Sequence, residues 1–146
     1  MRQASTEDYL RTMYRLYEEI EPYDRINEAG KGIRSVDIAK ELKISKPSVS
    51  KMVKKLILKK YIKAKPYSNI YFTNKGLKEA RRVMHNHRVI EVFLRDMLNC
   101  DLNKVHEEAH KLEHTFSEHT IRKLDKFLNN PKISPTGKEI PHDNKR

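Results

Sequence analysis

The run His106-Glu107-Glu108-Ala109-His110-Lys111-Leu112-Glu113-His114 concentrates metal-ligating side chains. On a helix, residues three or four apart share a face. His106, His110, Glu113 and His114 therefore project to one side as three imidazoles and a carboxylate, a surface suited to a divalent transition metal. Upstream, His87 and Glu91 make a further i, i+4 pair. They interrupt a stripe of Ala80, Met84, Leu94 and Leu98 on a long helix expected to open at Thr73 to Gly76 and run to about Leu98. A buried carboxylate on such a stripe is costly unless it is paired or ligates a cation. A lone histidine there would read as a hydrogen-bonded core residue; the His87/Glu91 pair points to metal.

The same run contains the string His106-Glu107-Glu108-Ala109-His110, the H-E-x-x-H pattern in which two histidines hold zinc and the glutamate is the general base of a peptidase. The extended form of that pattern fails, because Glu113 stands where it needs glycine and Phe116 where it needs a third histidine. No downstream helix offers a convincing further ligand. The peptidase is the enzyme alternative, and no catalytic residue is assigned.

At 146 residues, 37% hydrophobic and 35% charged, with 4 Gly and 6 Pro, the chain suits one or two small, mostly helical domains. A chain of this size buries roughly 70% of its unfolded surface, enough for a core without disulfides. No apolar run approaches about 18 residues, so no membrane span is expected. The N-terminal residues lack the apolar core of a signal peptide. One cysteine, Cys100, fits a reducing cytoplasm, the expected location. The net charge is +11, uneven along the chain: residues 1–75 carry a net +8 and residues 76–146 a net +3. Nine lysines and no acid lie between Lys43 and Lys65, an electrostatic footprint for the phosphates of DNA. A solvated lysine face or an anionic membrane are the other readings. The block does not form the clean basic amphipathic helix that a membrane needs.

Elements around that block fit DNA. Ser5 can cap a helix from Thr6 to about Glu21, with Tyr9, Leu10, Met13, Leu16, Tyr17 and Ile20 on its apolar side. Asp8, in its first turn, is favoured by the helix dipole. A loop over 22–32 follows. Ser35 is expected to cap a helix from Val36 to Leu42, with Val36, Ala39 and Leu42 inward. After the turn Lys43-Ile44-Ser45, Ser45 caps a third helix opened by Lys46-Pro47. Val49, Met52, Val53 and Leu56 face inward; Ser48, Lys51, Lys55 and Lys59 face out. This is a helix-turn-helix with a basic outer face. Tyr61 to Lys65, the turn 66–69 and Ile70 to Phe72 read as a hairpin, the wing. A small three-helix domain with a hairpin is the plainer alternative. Beyond His114, Ser117 caps a helix to about Leu128 with Ile121, Leu124, Phe127 and Leu128 inward. A polar, Pro-containing tail, expected to be flexible, closes the chain. The domains expected are 1–75, 76–130 and the tail 131–146. The fold class expected is mostly α: an N-terminal winged helix-turn-helix followed by an all-helical dimerisation and metal-binding domain.

The segments Asp8-Tyr9-Leu10-Arg11-Thr12, Asp37-Ile38-Ala39, Ser45-Lys46-Pro47-Ser48-Val49-Ser50 and Thr73-Asn74-Lys75-Gly76 occur in that order. His85-Asn86-His87-Arg88, Asn103 to Ala109, Leu112-Glu113-His114 and Ser134 to Pro141 follow. Together they resemble the diphtheria toxin repressor family, which includes iron-dependent repressors and manganese transport regulators. The resemblance implies a homodimeric regulator that binds a double-stranded DNA operator, usually to repress metal-uptake genes, once a divalent metal is bound. Position by position it implies metal ligands at Asp8, His87, Glu91, His106, His110, Glu113 and His114. It implies DNA contacts at Ser45, Pro47, Ser48 and Lys51; Lys55, on the same outer face, joins them. His110 stands where the family commonly has cysteine or glutamate, and Arg11 where manganese regulators have a second acid. Fe(II) or Mn(II) is the cofactor implied by the family, and the nitrogen-rich donors also suit Zn(II), Co(II) or Ni(II). A metal-independent winged-helix regulator explains the lysines but leaves the His/Glu constellation without a purpose.

Overall fold

The structure, a computed structural model, describes residues 5–20, 32–64 and 69–142. Most of the expected loop over 22–32 and residues 66–68 of the expected wing turn lie outside the described residues. The chain divides into two compact units, Met1–Arg81 and Arg82–Arg146. No described helix is long and apolar enough to cross a membrane.

In the first unit, α1 (Thr6–Ile20) buries Tyr9, Leu10, Met13, Tyr14, Leu16 and Tyr17, so the expected apolar side is the core side as far as Tyr17, but Ile20, expected on that side, is 42% exposed at the helix's last residue. α2 (Ser35–Leu42) and α3 (Lys46–Leu58) are the two helices of the expected helix-turn-helix. Lys43 closes α2 in the left-handed region, φ 55° and ψ 46°, where glycine is commonest. Ser45 caps α3 as expected, its hydroxyl accepting from the Ser48 amide at 3.2 Å, with Pro47 in the first turn. Two details of α2 differ from the sequence reading. Arg34, not Ser35, is the N-cap residue, and it offers no side-chain cap. Val36 is 43% exposed, because the turn that buries Ile38 and Ala39 rotates it outward.

The wing consists of β1 (Ile62–Ala64) and β2 (Ile70–Phe72), antiparallel, with Ile62 opposite Phe72, Lys63 opposite Tyr71 and Ala64 opposite Ile70. Ile33 adds an antiparallel bridge to Ile70, with N···O distances of 2.8 and 2.7 Å. Tyr17 ties α1 to this sheet. Its hydroxyl donates to the Ile70 carbonyl at 3.0 Å and accepts from the Phe72 amide at 3.3 Å, and its ring stacks on Phe72.

α4 (Asn74–Asp96) begins in the first unit, where Thr73 Oγ1 accepts from the Gly76 amide at 3.0 Å. The rest of α4 belongs to the second unit, with α5 (Leu102–Glu113) and α6 (Glu118–Phe127), the latter capped by Ser117. Ile90, Leu94, Val105, Ala109 and Ile121 form one core, and Val89, Val92 and Ile140 another. Ala80, Met84, His87, Glu91 and Leu94 are all buried, so the expected stripe on α4 holds until Leu98. Leu98 is exposed because the helix stops at Asp96 and Asn99 turns into the left-handed region. Phe127, expected inward, is 66% exposed. Residues 131–142, expected as a flexible tail, are built into the unit. Ile133 pairs with Glu139, Ser134 and Ile140 are buried, and Arg88 donates to the Glu139 carbonyl at 2.6 Å. Periodicity carries no signal for a segment fixed by single anchors rather than by a regular face.

Gly76 sits where a Cβ would run into the Tyr61 carbonyl. Gly76→Ala is expected to lower stability by about 1–3 kcal/mol, the usual cost of overpacking. A smaller urea midpoint at unchanged slope would register it.

Candidate metal centre and nucleic-acid interface

α5 carries its ligands because Asp101 starts the helix and Val105 and Ala109 bury its packing side, placing His106, His110 and Glu113 along the edge. His114 follows as the C-cap residue. His87 and Glu91 come up from α4, one turn apart, with side chains 2% and 5% exposed.

The centre of the arrangement is the His87 ring. Its Nδ1 lies 3.1 Å from Glu113 Oε2. A carboxylate only accepts, so Nδ1 carries the proton it donates. In the neutral ring Nε2 then bears the lone pair, which faces His106 Nδ1 at 3.1 Å and Glu91 Oε2 at 3.5 Å. His106 Nδ1 in turn lies 3.6 Å from the same Glu91 oxygen. Two ring nitrogens and a carboxylate oxygen thus converge, as donors around a cation do. The outer Glu113 contact is the carboxylate–histidine support that fixes tautomer and orientation in metal sites.

Glu113 serves a second group with its other oxygen. Oε1 lies 3.7 Å from His114 Nε2 and 4.0 Å from His110 Nε2, and the rings of His110 and His114 stand 5.2 Å apart, edge to face. The single buried carboxylate therefore supports one triad and contributes directly to the next. The sequence names all of these residues but sets His106 on one surface with His110, Glu113 and His114; its grouping with His87 and Glu91 depends on contacts between α4 and α5. No helical spacing encodes it. Both donor sets, imidazole and carboxylate, fit a divalent transition metal, with His87, Glu91 and Glu113 buried and the His106 side chain 68% exposed at the edge of the first.

Burial by itself pushes the Glu91 carboxyl up, but hydrogen bonding to His106 and His87 and their charge bring it down to about 2. Burial pushes His87 down; Glu113 and Glu91 outweigh it and hold the ring above its ordinary 6.5.

The H-E-x-x-H string does not act as a zincin's. Its two histidines join different groups, His106 with His87 and Glu91, His110 with Glu113 and His114. Glu107, the would-be base, is exposed and pairs with Lys111 at 3.9 Å.

Asp8 lies in the first unit. It is buried, its Oδ2 accepts from the Ser5 amide at 2.8 Å, and its own amide donates to Ser5 Oγ at 3.1 Å. This reciprocal pair is a capping box. Arg11 sits 3.6 Å from Asp8 Oδ1. The next residue, Tyr9, donates from its hydroxyl to the Ser48 carbonyl at 3.4 Å, linking the start of α1 to the first turn of α3.

Ser45, Pro47, Ser48, Lys51 and Lys55 are all exposed on α3, as expected. The Ser45 and Ser48 hydroxyls stand 2.9 Å apart at a helix N-terminus whose amides and dipole favour phosphate. Lys51, Lys55 and Lys59 continue along the same helix, all exposed.

Two family models match the chain. "Iron dependent repressor, N-terminal DNA binding domain" matches residues 1–70. "Iron dependent repressor, metal binding and dimerisation domain" matches residues 73–142. The uncharacterized HTH-type transcriptional regulator MJ0568 of Methanocaldococcus jannaschii is 35% identical over 124 residues, 85% of this chain and 92% of that protein. The iron-dependent repressor IdeR of Mycobacterium leprae is 36% identical over 137 residues, 94% of this chain and 55% of that one. Among solved structures, that of the manganese regulator SloR superposes with a TM-score of 0.79 at 38% identity, over 99% of this chain and 62% of that one. The chain thus spans little more than half the length of IdeR and of SloR.

Metal requires His87 without a proton on Nε2. Because the folded ring holds its proton above the ordinary 6.5, affinity at this group rises with pH through that raised value and then levels. Calorimetric titrations in buffers of different ionisation enthalpy are expected to show proton release from His87 at pH 6.5 that shrinks at higher pH.

Proposed function

Because the chain belongs to the iron-dependent repressor family, we propose that it is a homodimeric repressor of metal-uptake genes whose hold on operator DNA is switched on by a divalent metal. The family is one of DNA-binding regulators rather than enzymes. Acting on operator DNA, the chain works in the cytoplasm.

The observation that carries this reading is the pair of donor groups joined through Glu113. His87, Glu91 and His106 hold one ion; His110, Glu113 and His114 hold a second. The family resemblance adds Asp8, on α1, as a further ligand. Four imidazoles set against the carboxylates favour Fe(II) over Mn(II) by the Irving–Williams order. IdeR is named for iron and SloR for manganese, and availability decides between the two in the cell.

The switch is the capture of Asp8. An ion that draws the Asp8 carboxylate fixes the start of α1, and Tyr9, the next residue, contacts the Ser48 backbone at the start of α3. In a dimer the two α3 helices must meet half-sites about 34 Å apart or a multiple of that. Metal favours the spacing that fits, and by reciprocity DNA tightens metal binding by the same factor. Met97, Leu98, Leu102 and Phe127, apolar and exposed on the second unit, supply a dimer face. Ser45, Pro47 and Ser48 dock the N-terminus of α3 on DNA, and Lys51 and Lys55 contact phosphates.

At fixed salt, the chain is expected to retain its own upstream DNA with Fe(II) or Mn(II) and to release it in chelator. Equal retention in chelator would mean a metal-independent regulator. Asp8→Asn keeps an oxygen for the capping box but removes the charge. It is expected to cut metal activation by about 5–150-fold, the usual range of coupling, with the helical circular dichroism unchanged; full activation would reject the bridging role. Lys51→Ala is expected to weaken DNA binding and reduce the salt slope by about one, leaving metal affinity intact.

A further inference from the structure

Elsewhere in the second unit, three side chains from distant parts of the sequence meet: His85 on α4, Asp125 on α6 and His142 near the end of the described chain. His85 Nε2 lies 3.0 Å from Asp125 Oδ2, and His142 Nδ1 lies 3.7 Å from the same oxygen. The two rings stand 5.0 Å apart, edge to face. All three side chains are largely buried, at 18%, 14% and 29% exposure. His85 precedes His87 by two positions on α4, and residues two apart on a helix do not face each other. The group is therefore separate from the one at His87.

The outer nitrogens reveal what the inner ones must do. Asn86 donates from Nδ2 to Glu118 Oε1 at 2.9 Å, which sets the orientation of its amide. Its oxygen therefore faces His85 Nδ1, at 3.0 Å, and Nδ1 is the donor. Likewise His142 Nε2, 3.0 Å from the Pro131 carbonyl, donates to it. In both neutral rings the proton is spent outward on an oxygen. The lone pairs, on His85 Nε2 and His142 Nδ1, point at an anionic carboxylate. Three electron-rich atoms are stable at such range only around a cation. The arrangement also has the outer support that metal-bound histidines receive from carbonyl oxygens. Asp125 Oδ1, buried and without a hydrogen-bond partner, leaves a second carboxylate oxygen available to the same ion.

We propose that His85 Nε2, Asp125 and His142 Nδ1 form a further metal site, structural in role, for a borderline divalent ion of the Zn(II) or Co(II) class. Two imidazoles and a carboxylate leave one tetrahedral position for water. The ion clamps the segment 131–142 to α4 and α6, where Arg88 and the buried Ile140 already anchor it. It lies outside the Glu113 pair of groups and does not depend on their role in DNA binding.

The test uses the full chain, stripped of metal, then equilibrated with Zn(II) by dialysis and counted by mass spectrometry. His142→Gln changes a partly exposed side chain at the edge of the fold, and Asp125→Asn removes the charge at the centre. Each is expected to bind one equivalent of Zn(II) fewer than the unsubstituted chain while its circular dichroism is unchanged. In the unsubstituted chain, nitrogen-15 spectra are expected to show Zn(II) shifting His85 Nε2 and His142 Nδ1, the inner nitrogens, with the protons remaining on the outer ones. The same Zn(II) content in all three proteins, or histidine spectra indifferent to Zn(II), overturns the site and leaves a proton as the only cation between the rings.

Discussion

The contact between His87 Nδ1 and Glu113 Oε2 governs the second unit. Both side chains are 2% exposed, so neither can meet its electrostatic needs from water. Removing an ion pair from solvent costs several kcal/mol per ion, offset only by good geometry and by partners for the remaining lone pairs. Here the partners are histidines and Glu91, and those partners are themselves electron donors. The unit therefore folds around groups that suit a positive ion better than they suit each other. The low value of the Glu91 carboxyl, about 2, expresses the same demand: it remains an anion beside two imidazoles at any physiological pH. Because Glu113 turns one oxygen to each group, an ion held by one would alter the field felt by the other. The two candidate groups share one side chain, Glu113.

Much of this was legible in the sequence, and the reasons are physical. The caps at Ser45 and Ser117, the apolar side of α1 and the stripe on α4 rest on local rules of three- and four-residue spacing, which tertiary structure here did not override. The seven candidate ligands share that legibility, because six of them lie within α4, α5 and the C-cap of α5. What escaped depends on contacts between elements. Val36 and Phe127 obey helical spacing but lie outside the arc that packing selects. The segment 131–142 is held by a bridge, a turn and one arginine, none of which has a period. His85, Asp125 and His142 are 40 and 17 residues apart in sequence, and only the fold brings them together.

The H-E-x-x-H string shows how spacing on a helix underdetermines chemistry. His106 and His110 are one turn apart, which permits chelation of a single ion, yet α4 supplies His87 and Glu91 for the first and Glu113 claims the second. A motif states which side chains share a face. The element packed against that face decides which of them share an ion.

The candidate ligands are imidazole and carboxylate throughout; no thiolate stands among them. The sole cysteine, Cys100, packs against the core of Ile90, Leu94, Val105, Ala109 and Ile121. Thiolate ligands are the groups that peroxide carries to sulfenic acid and disulfide, erasing a metal site along with its signal. With nitrogen and oxygen donors only, the candidate groups cannot be closed off by sulfenic acid or disulfide formation.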